Sequence, residues 1–402
     1  MKNSLQRLAL GIAAAATLCA GTAHAAKTYS TGASDTEIRI GNTVPYSGPL
    51  SVYGVIGRTE AAYFKKLNDA GGINGRKVTF ISYDDAYSPP KALEQVRKLV
   101  ESDEVLAVFG MVGSPSNAAV MKYMNQKKVP QLFTASGAAK FSDPQGAPWT
   151  IGWIPSYRAE ARTYVKDILA TNAKAKIGIV FQNDDFGKDY LAGVKEVLAG
   201  KPNVLIEAPF ETSAPTLDSQ IVSLKDSGAD ALIIAGIGKF ASQAIRKAAE
   251  LGWKPLRYVT NTAIAVDTVL KPAGLEAATG LVSIAYKKDP GDPAWAQDAA
   301  MKEFFAFMDT HLPGEPKNDQ SAVGYMQAKT LEQVLRQCGD ELTRENLMKQ
   351  AANLKQFPLP LLLPGISLDT SPTDYSPIKK LQTQRFDGHH WGLFGTLVDA
   401  TK

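Results

Sequence analysis

Thiol and imidazole chemistry has almost no material in this chain: 402 residues carry two cysteines, Cys19 and Cys338, and four histidines, His24, His311, His389 and His390. Cys19 falls inside an N-terminal apolar stretch, so the body keeps a single thiol and no intramolecular disulfide can staple it. No His or Cys accompanies an acidic pair at metal-ligand spacing, which removes the usual zinc signatures. Charge of one sign is scarce too. The formal net charge is +4, without a dense Lys/Arg cluster, and that leaves no electrostatic footprint for nucleic acid. Beyond the N-terminus no apolar run approaches the roughly 20 residues that cross a bilayer. The longest, Phe357 to Ile366, is broken by Pro358, Pro360 and Pro364. Neither a Gly-x-Ser-x-Gly elbow nor a Walker-type phosphate loop occurs.

What is present begins with a leader. Lys2 and Arg7 precede an apolar stretch from Leu8 to Ala20, and Ala23-His24-Ala25 is a small-x-small cleavage site. Residues 1–25 therefore read as a signal peptide, with a mature periplasmic chain expected to start at Ala26. Cys19 follows Leu18 within the apolar run, which speaks against a lipid anchor. Loss of Lys2 and Arg7 lowers the formal charge from +4 to +2. About 375 residues remain, ample for two domains held by their cores.

The body reads as short β-rich runs alternating with amphipathic helices, the pattern of parallel sheets with crossover helices. A first series has strands at Ile38 to Val44, Val78 to Tyr83, Val105 to Phe109 and Gln131 to Thr134, with a helix over Arg58 to Ala70 that Gly71-Gly72 ends. A second series has Ile177 to Phe181, Val204 to Glu207, Ala231 to Ala235, Arg257 to Thr260 and Leu281 to Ala285. Helices follow at Ala294 to Thr310, Ser321 to Gln337 and Thr343 to Leu354, then a hairpin whose Asp387-Gly388 turn joins Lys380 to Arg385 with His389 to Leu393. Segments this late must return to sheets built earlier. The fold class expected is α/β, two doubly wound lobes of the same type joined by a multi-strand hinge, with residues 36–155 plus 286–358 in one lobe and 156–285 plus 359–402 in the other.

Chemistry concentrates at strand exits. In Phe109-Gly110-Met111-Val112-Gly113-Ser114-Pro115 a strand ends, the chain turns on glycines, and a helix opens with Ser114 as its cap and Pro115 at the first helical position. A helix N-terminus facing a strand's carboxyl end favours an anion, although most Ser-Pro caps serve helix stability alone. The next strand exits through Ala135-Ser136-Gly137, a second small-residue turn that either helps hold one carboxylate or only makes a tight connection. Aromatics punctuate the same edges: Tyr46, Tyr53, Tyr157, Phe186, and Tyr325 on a late helix. Together with a few fixed polar groups they suit a small-metabolite cleft, while any one of them taken alone is better read as core. The acidic pairs Asp84-Asp85 and Asp184-Asp185 read as capping or solvated residues. Ala235-Gly236-Ile237-Gly238 imitates a dinucleotide fingerprint but lacks the acid about twenty residues on, so no nicotinamide cofactor is expected. The glycines instead read as places where the second lobe's backbone approaches a shared ligand, with Gly236 as the site residue.

Several of these stretches resemble the type I periplasmic binding proteins of the leucine/isoleucine/valine class, which serve ABC importers. The markers are Ile40-Gly41, Ser47-Gly48-Pro49 with Tyr53-Gly54, Asn68-Asp69-Ala70-Gly71-Gly72-Ile73-Asn74-Gly75-Arg76, Tyr83-Asp84-Asp85, the turn at Ser114, Val129-Pro130, Asp185-Phe186-Gly187 and Leu251-Gly252. They cover nearly the whole mature chain, and the run from Ala70 to Arg76 is the most specific. The resemblance implies that Ser114 binds a ligand carboxylate, aided by Ala135 and Ser136. It implies that Tyr53, Phe186 and Tyr325 line the pocket, and that membrane permease subunits are the partners. Tyr157 and Asn261 complete the expected site. Where amino-acid-binding members carry an acid that pairs with the ligand ammonium, this chain reads Thr260-Asn261-Thr262-Ala263. An unpaired buried ammonium costs several kcal/mol, so either Asp184 substitutes or the ligand lacks an amino group. Two other classes remain in view, a hydrolase of small amides or esters and a periplasmic sensor. The first lacks a base near the serine turns, and the second lacks a transmembrane or effector segment.

Overall fold

The computed structural model describes residues 27–401. The expected leader, with Cys19 and the cleavage site before Ala26, lies outside them. A two-stranded ladder, β1 (Thr28–Tyr29) with β12 (Glu341–Leu342), ties the start of the described chain to its late helical region.

The first sheet is wholly parallel. It contains β2 (Glu37–Val44), β3 (Lys77–Asp84), β4 (Ala107–Phe109), β5 (Gln131–Thr134) and β6 (Thr150–Gly152), in the order β3-β2-β4-β5-β6. The second is built from β7 (Ile177–Gln182), β8 (Leu205–Phe210), β9 (Ala231–Ala235), β10 (Leu256–Val259) and β11 (Val282–Ala285), extended by β13 (Lys380–Phe386) and β14 (Trp391–Asp399). Its order is β14-β13-β11-β10-β9-β7-β8, and the last two strands in sequence run antiparallel. Reading only the parallel strands, both sheets share one topology: the second strand lies outside the first, and the third to fifth follow on its other side. The chain is thus two doubly wound α/β units. Strands β7 and β9 are buried at every position, as expected where helices cover both faces and apolar residues run continuously instead of alternating.

Counting helices of eight or more residues, α1 (Gly54–Asp69), α2 (Pro89–Glu101) and α3 (Ser114–Lys127) belong to the first unit. The second has α4 (Tyr157–Thr171), α5 (Asp185–Leu198), α6 (Asp218–Asp226) and α7 (Lys239–Glu250). The late helices α8 (Ala299–His311), α9 (Asp319–Cys338) and α10 (Arg344–Ala351) return to the first unit. There Tyr325 of α9 packs edge-on against Tyr63 of α1 at 5.5 Å. Several boundaries differ from the sequence reading for local reasons. Helix α1 starts at Gly54 because a 3-10 turn at Ser51–Tyr53 leads into it. Helix α8 starts at Ala299 because Asp298 caps it, accepting from the Met301 amide, while Pro293–Trp295 forms a separate turn. Helix α9 starts two residues early because Asn318 and Ser321 form a reciprocal capping box. Strand β6 was not anticipated, being only three residues long.

Three stretches connect the units. The first, Trp153 to Tyr157, leaves β6 and enters α4. The second, Tyr286 to Lys288, pairs with the third around Leu362: Lys287 bridges Leu362 antiparallel, the Lys288 amide donates to Leu361 O at 2.7 Å and the Leu363 amide to Tyr286 O at 3.0 Å. Trp153 packs edge-on against Tyr286 at 6.1 Å, joining the first stretch to the second. The chain does not enter the second unit directly after the expected boundary at residues 358/359. Thr370 Oγ1 still donates to Ala351 O and the Tyr375 hydroxyl to Pro148 O, both in the first unit, before β13 begins at Lys380.

At the first connection the Tyr157 amide donates to Gly137 O at 3.1 Å, and a Cβ on Gly137 would overlap the Pro155 carbonyl oxygen. The turn after β5 and the crossing strand can pack this closely only without a side chain. Gly137→Ala should therefore destabilise the protein by about 2 kcal/mol, the cost of overpacking a rigid contact. A urea midpoint equal to wild type would contradict this.

Candidate functional site

The two parallel sheets turn their strand carboxyl ends toward each other, and the crevice encloses a cavity of about 50 Å³. In doubly wound sheets ligands bind where adjacent crossovers diverge to opposite faces, between the first and third strands. Here those points lie between β2 and β4 in one unit and between β7 and β9 in the other. The exits of these four strands supply Tyr53, Ser114, Phe186 and Ile237 to the cavity wall.

Ser114 differs from the expected cap in a way that matters. Gly113 (φ +96°) occupies the cap position, and Ser114 is the first helical residue, with Pro115 second. Its side chain makes no capping bond. The Ser114 hydroxyl instead lies 2.7 Å from the Ser136 hydroxyl, and Tyr157, whose backbone amide donates to Gly137 O, shares the cavity wall with Ser114. Burial pushes the Tyr157 phenol well above its ordinary pKa, so it stays a neutral donor. Hydroxyls from two strand exits thus meet where the first-turn amides of α3 lack intrahelical partners, an arrangement for an anion. Gly113 has no tolerance for a side chain, because a Cβ would run into the Tyr87 ring.

Tyr87 was not anticipated. It and Ala86 are consecutive non-glycine residues in the left-handed region (φ +59° and +50°), a strained conformation. Asp85 holds it: its buried carboxylate accepts from the Tyr87 amide at 2.8 Å and the Thr43 hydroxyl at 2.9 Å. Tyr87 therefore reaches across the cleft, its hydroxyl accepting from Gln182 Nε2 at 3.3 Å. A second bridge is stronger. The Tyr53 hydroxyl donates to Thr262 O at 2.8 Å and accepts from the Gly238 amide at 3.1 Å, so one first-unit side chain engages two strand exits of the second.

On the second-unit wall Phe186 packs edge-on against Tyr157 at 4.9 Å, and Tyr190 stacks on Tyr157 at 5.1 Å. Asn261 lines the cavity and is fixed by Glu160, which accepts from both its backbone amide and its Nδ2. Glu160 also accepts from the Tyr164 hydroxyl, yet burial outweighs these bonds and raises its pKa to about 7. From the first unit the N-terminus of α9 contributes Asp319 and Gln320. Asp319 is paired with Lys287 of the second connection, their side chains only 7% and 3% exposed.

The cavity wall thus brings together Tyr53, Ser114, Ala135, Tyr157, Phe186 and Asn261. Ser136 stands behind it, reaching the site through Ser114. Two expected residues lie elsewhere. Gly236 faces the core, where a Cβ would meet Phe210 at 3.1 Å; it is Gly238 that makes the close approach, and to Tyr53. Tyr325 is about 200° around α9 from the cavity-lining Val323, buried among Tyr63, Phe304 and Phe307 with its hydroxyl donating to Glu303. Asp184 does not face the cavity: it caps α5, accepting from the Phe186 and Gly187 amides. Asp84 likewise serves the backbone, accepting from the Tyr46, Ser47 and Ala86 amides, and Asp185 pairs with Lys140. Among the described residues no group of His, Cys, Asp and Glu is placed to hold a metal ion.

The sequence profile of a periplasmic binding protein family matches residues 37–388. The Leu/Ile/Val-binding protein homolog 1 of Brucella abortus (strain 2308) is 25% identical over 283 residues, covering 69% of this chain and 74% of the relative. Among solved structures, a branched-chain amino acid ABC transporter protein from Thermus thermophilus with bound valine superposes with a TM-score of 0.81 at 14% identity, covering 90% of this chain and 97% of that one. An ABC transporter solute-binding protein from Rhodopseudomonas palustris BisB5, in complex with 3,4-dihydroxybenzoic acid, gives 0.75 at 20% identity, covering 90% and 98%. At these identities the structures establish a shared fold.

Glu160 generates a pH prediction. Its folded pKa of about 7 exceeds the ordinary 4.5, so the folded state holds the proton more tightly and stability falls as pH rises between these values. The full effect is about 3 kcal/mol at most. Glu160→Gln should raise the melting temperature at pH 8 and change it far less at pH 4.5. Equal shifts at the two pH values would show that Glu160 does not titrate in this window.

Proposed function

The chain belongs to the periplasmic binding protein family, and on that footing we propose that it is the solute-binding component of an ABC importer. It clasps a small organic carboxylate between its two units and presents the closed form to the permease. The observation that carries this reading is the Ser114–Ser136 hydroxyl pair at the N-terminus of α3, inside a crevice that Tyr53 bridges. Ligand groups touching both walls favour the closed form over the open one by their differential contacts.

The charge inventory of the cleft supports a ligand without an ammonium group. Asp319 is the carboxylate on the cavity wall, and Lys287 already neutralises it. Glu160 stands behind Asn261, and burial favours its protonated form. The Thermus neighbour holds valine and the Rhodopseudomonas neighbour a benzoic acid derivative, so the shared fold accommodates either kind of ligand. In this chain an aromatic or aliphatic carboxylate fits the inventory better than a branched-chain amino acid.

A hydrolytic reading finds less support. Ser114 has a second hydroxyl as its partner instead of a base. His311 packs on Phe307, and His389 and His390 sit in the turn between β13 and β14, where Asp387 accepts their amides.

Mass spectrometry of the native protein should release an intact small carboxylic acid. In calorimetry Ser114→Ala should weaken its binding by about tenfold to a hundredfold, the loss of a hydrogen bond to a charged group, while the ligand-free melting temperature stays nearly unchanged. Unaltered affinity would remove Ser114 from the site. In a thermal-shift panel, stabilisation by leucine with none by benzoate or 4-methyl-2-oxopentanoate would overturn the ammonium argument.

A further inference from the structure

Most polar side chains on the cavity wall are already engaged by protein groups. Tyr53 bonds Thr262 and Gly238, Tyr87 bonds Gln182, Ser114 bonds Ser136, Asn261 bonds Glu160, and Asp319 pairs with Lys287. Gln320 is different. It lines the cavity at 3% exposure, and neither its Oε1 nor its Nε2 has a hydrogen-bond partner. Other side-chain amides whose buried oxygen is unpartnered keep a bond at nitrogen: Gln182 to Tyr87, Gln243 to Pro215 O and Gln327 to Phe133 O. Among the described residues Gln320 alone has both ends of its amide buried and unmet. Its backbone is fixed by the start of α9, where the Gln320 amide donates to the capping Asn318 at 3.1 Å.

A primary carboxamide offers an acceptor oxygen and a two-proton donor nitrogen. Buried polar groups are ordinarily satisfied, and a closed cleft that surrounds such a pair with hydrocarbon leaves both desolvated. The complement is a group that donates and accepts at once. We infer that Gln320 sets ligand preference in this cleft, selecting a carboxylate whose body carries a hydroxyl that donates to Oε1 or accepts from Nε2. The inference rests on the carboxylate reading above and narrows it, since purely hydrocarbon side chains such as that of leucine leave the amide unmet.

The test is calorimetric titration of wild type and Gln320→Met with benzoate, 3-hydroxybenzoate, 4-hydroxybenzoate, butyrate and 3-hydroxybutyrate. Methionine keeps a similar length and volume without the polar pair. Wild type should bind at least one hydroxylated acid about tenfold or more tightly than its parent. In Gln320→Met that preference should collapse, through weaker binding of the hydroxy acid and equal or tighter binding of the parent. The ligand-free variant should melt at or above the wild-type temperature, because a buried unmet amide has been removed. Parent and hydroxylated acids bound equally by wild type, or a preference that survives in Gln320→Met, overturns the role of Gln320 and leaves the carboxylate reading standing. Binding of none of the five acids sinks both.

Discussion

The Tyr53 hydroxyl, donating to Thr262 O and accepting from the Gly238 amide, sets the distance between the two units at the mouth of the site. It satisfies two backbone groups at once, and those groups belong to different strand exits, so the contact exists only when the walls are brought together in one orientation. Other bridges cross the same cleft, and the Ala139 amide donates to the largely buried Asp189 carboxylate at 2.5 Å. Gln182 reaches the Tyr87 hydroxyl at 3.3 Å, and Lys140 pairs with Asp185 at the rim, with both side chains more than a third exposed. A ligand that touches both walls adds its own contacts to these bridges, and only that differential contact can shift the balance between open and closed forms. The wall positions of Ser114 and Phe186 acquire a shared meaning only at this spacing.

The second organising fact is that one topology occurs twice. Each sheet places a crevice between its first and third parallel strands, and facing the carboxyl ends of the two sheets overlays both crevices. The residues on the wall are therefore those that leave strands, and this explains why a cleft formed from distant parts of the chain is partly legible in one dimension. Apolar runs mark β7 and β9 because helices cover both faces; the residues just after each run are then candidates. Tyr53, Ser114, Phe186 and Asn261 could be picked out on that logic.

The same logic explains what was missed. Tyr325 lies within an apolar helix, where no strand exit marks orientation, and its place in the core of the first unit follows from helical phase against α1 and α8. Gly236 and Gly238 look alike in sequence, yet only Gly238, with φ +50°, makes the close approach. Glu160 follows Tyr157 by one helical turn, and nothing local says that its carboxylate is buried against Asn261. Asp319 and Gln320 belong to a helix that is reached only after the chain has crossed back from the second unit, so their place on the wall depends on the connections and not on local pattern. A signal did exist: the Asn318-to-Ser321 capping box fixes where α9 begins, and two polar residues at the start of a mostly buried helix need a reason to be there.

Lys287 and Asp319 tie these observations to the chemistry of recognition. Lys287 lies on the connection paired with Leu362, while Asp319 faces the cavity, so their ion pair couples the hinge to the wall. Breaking a buried pair by withdrawing one partner strands a charge at a cost of about 3 kcal/mol or more. A ligand ammonium that competed for Asp319 would impose this penalty on Lys287, and closure would gain little from it. The proposed carboxylate would meet no such obstacle, because hydroxyls and helix amides could solvate it without disturbing that ion pair. On the proposed carboxylate reading, disfavouring a cationic group and accepting an anionic one would follow from the same constraint: Asp319, the carboxylate on the cavity wall, is already engaged by Lys287.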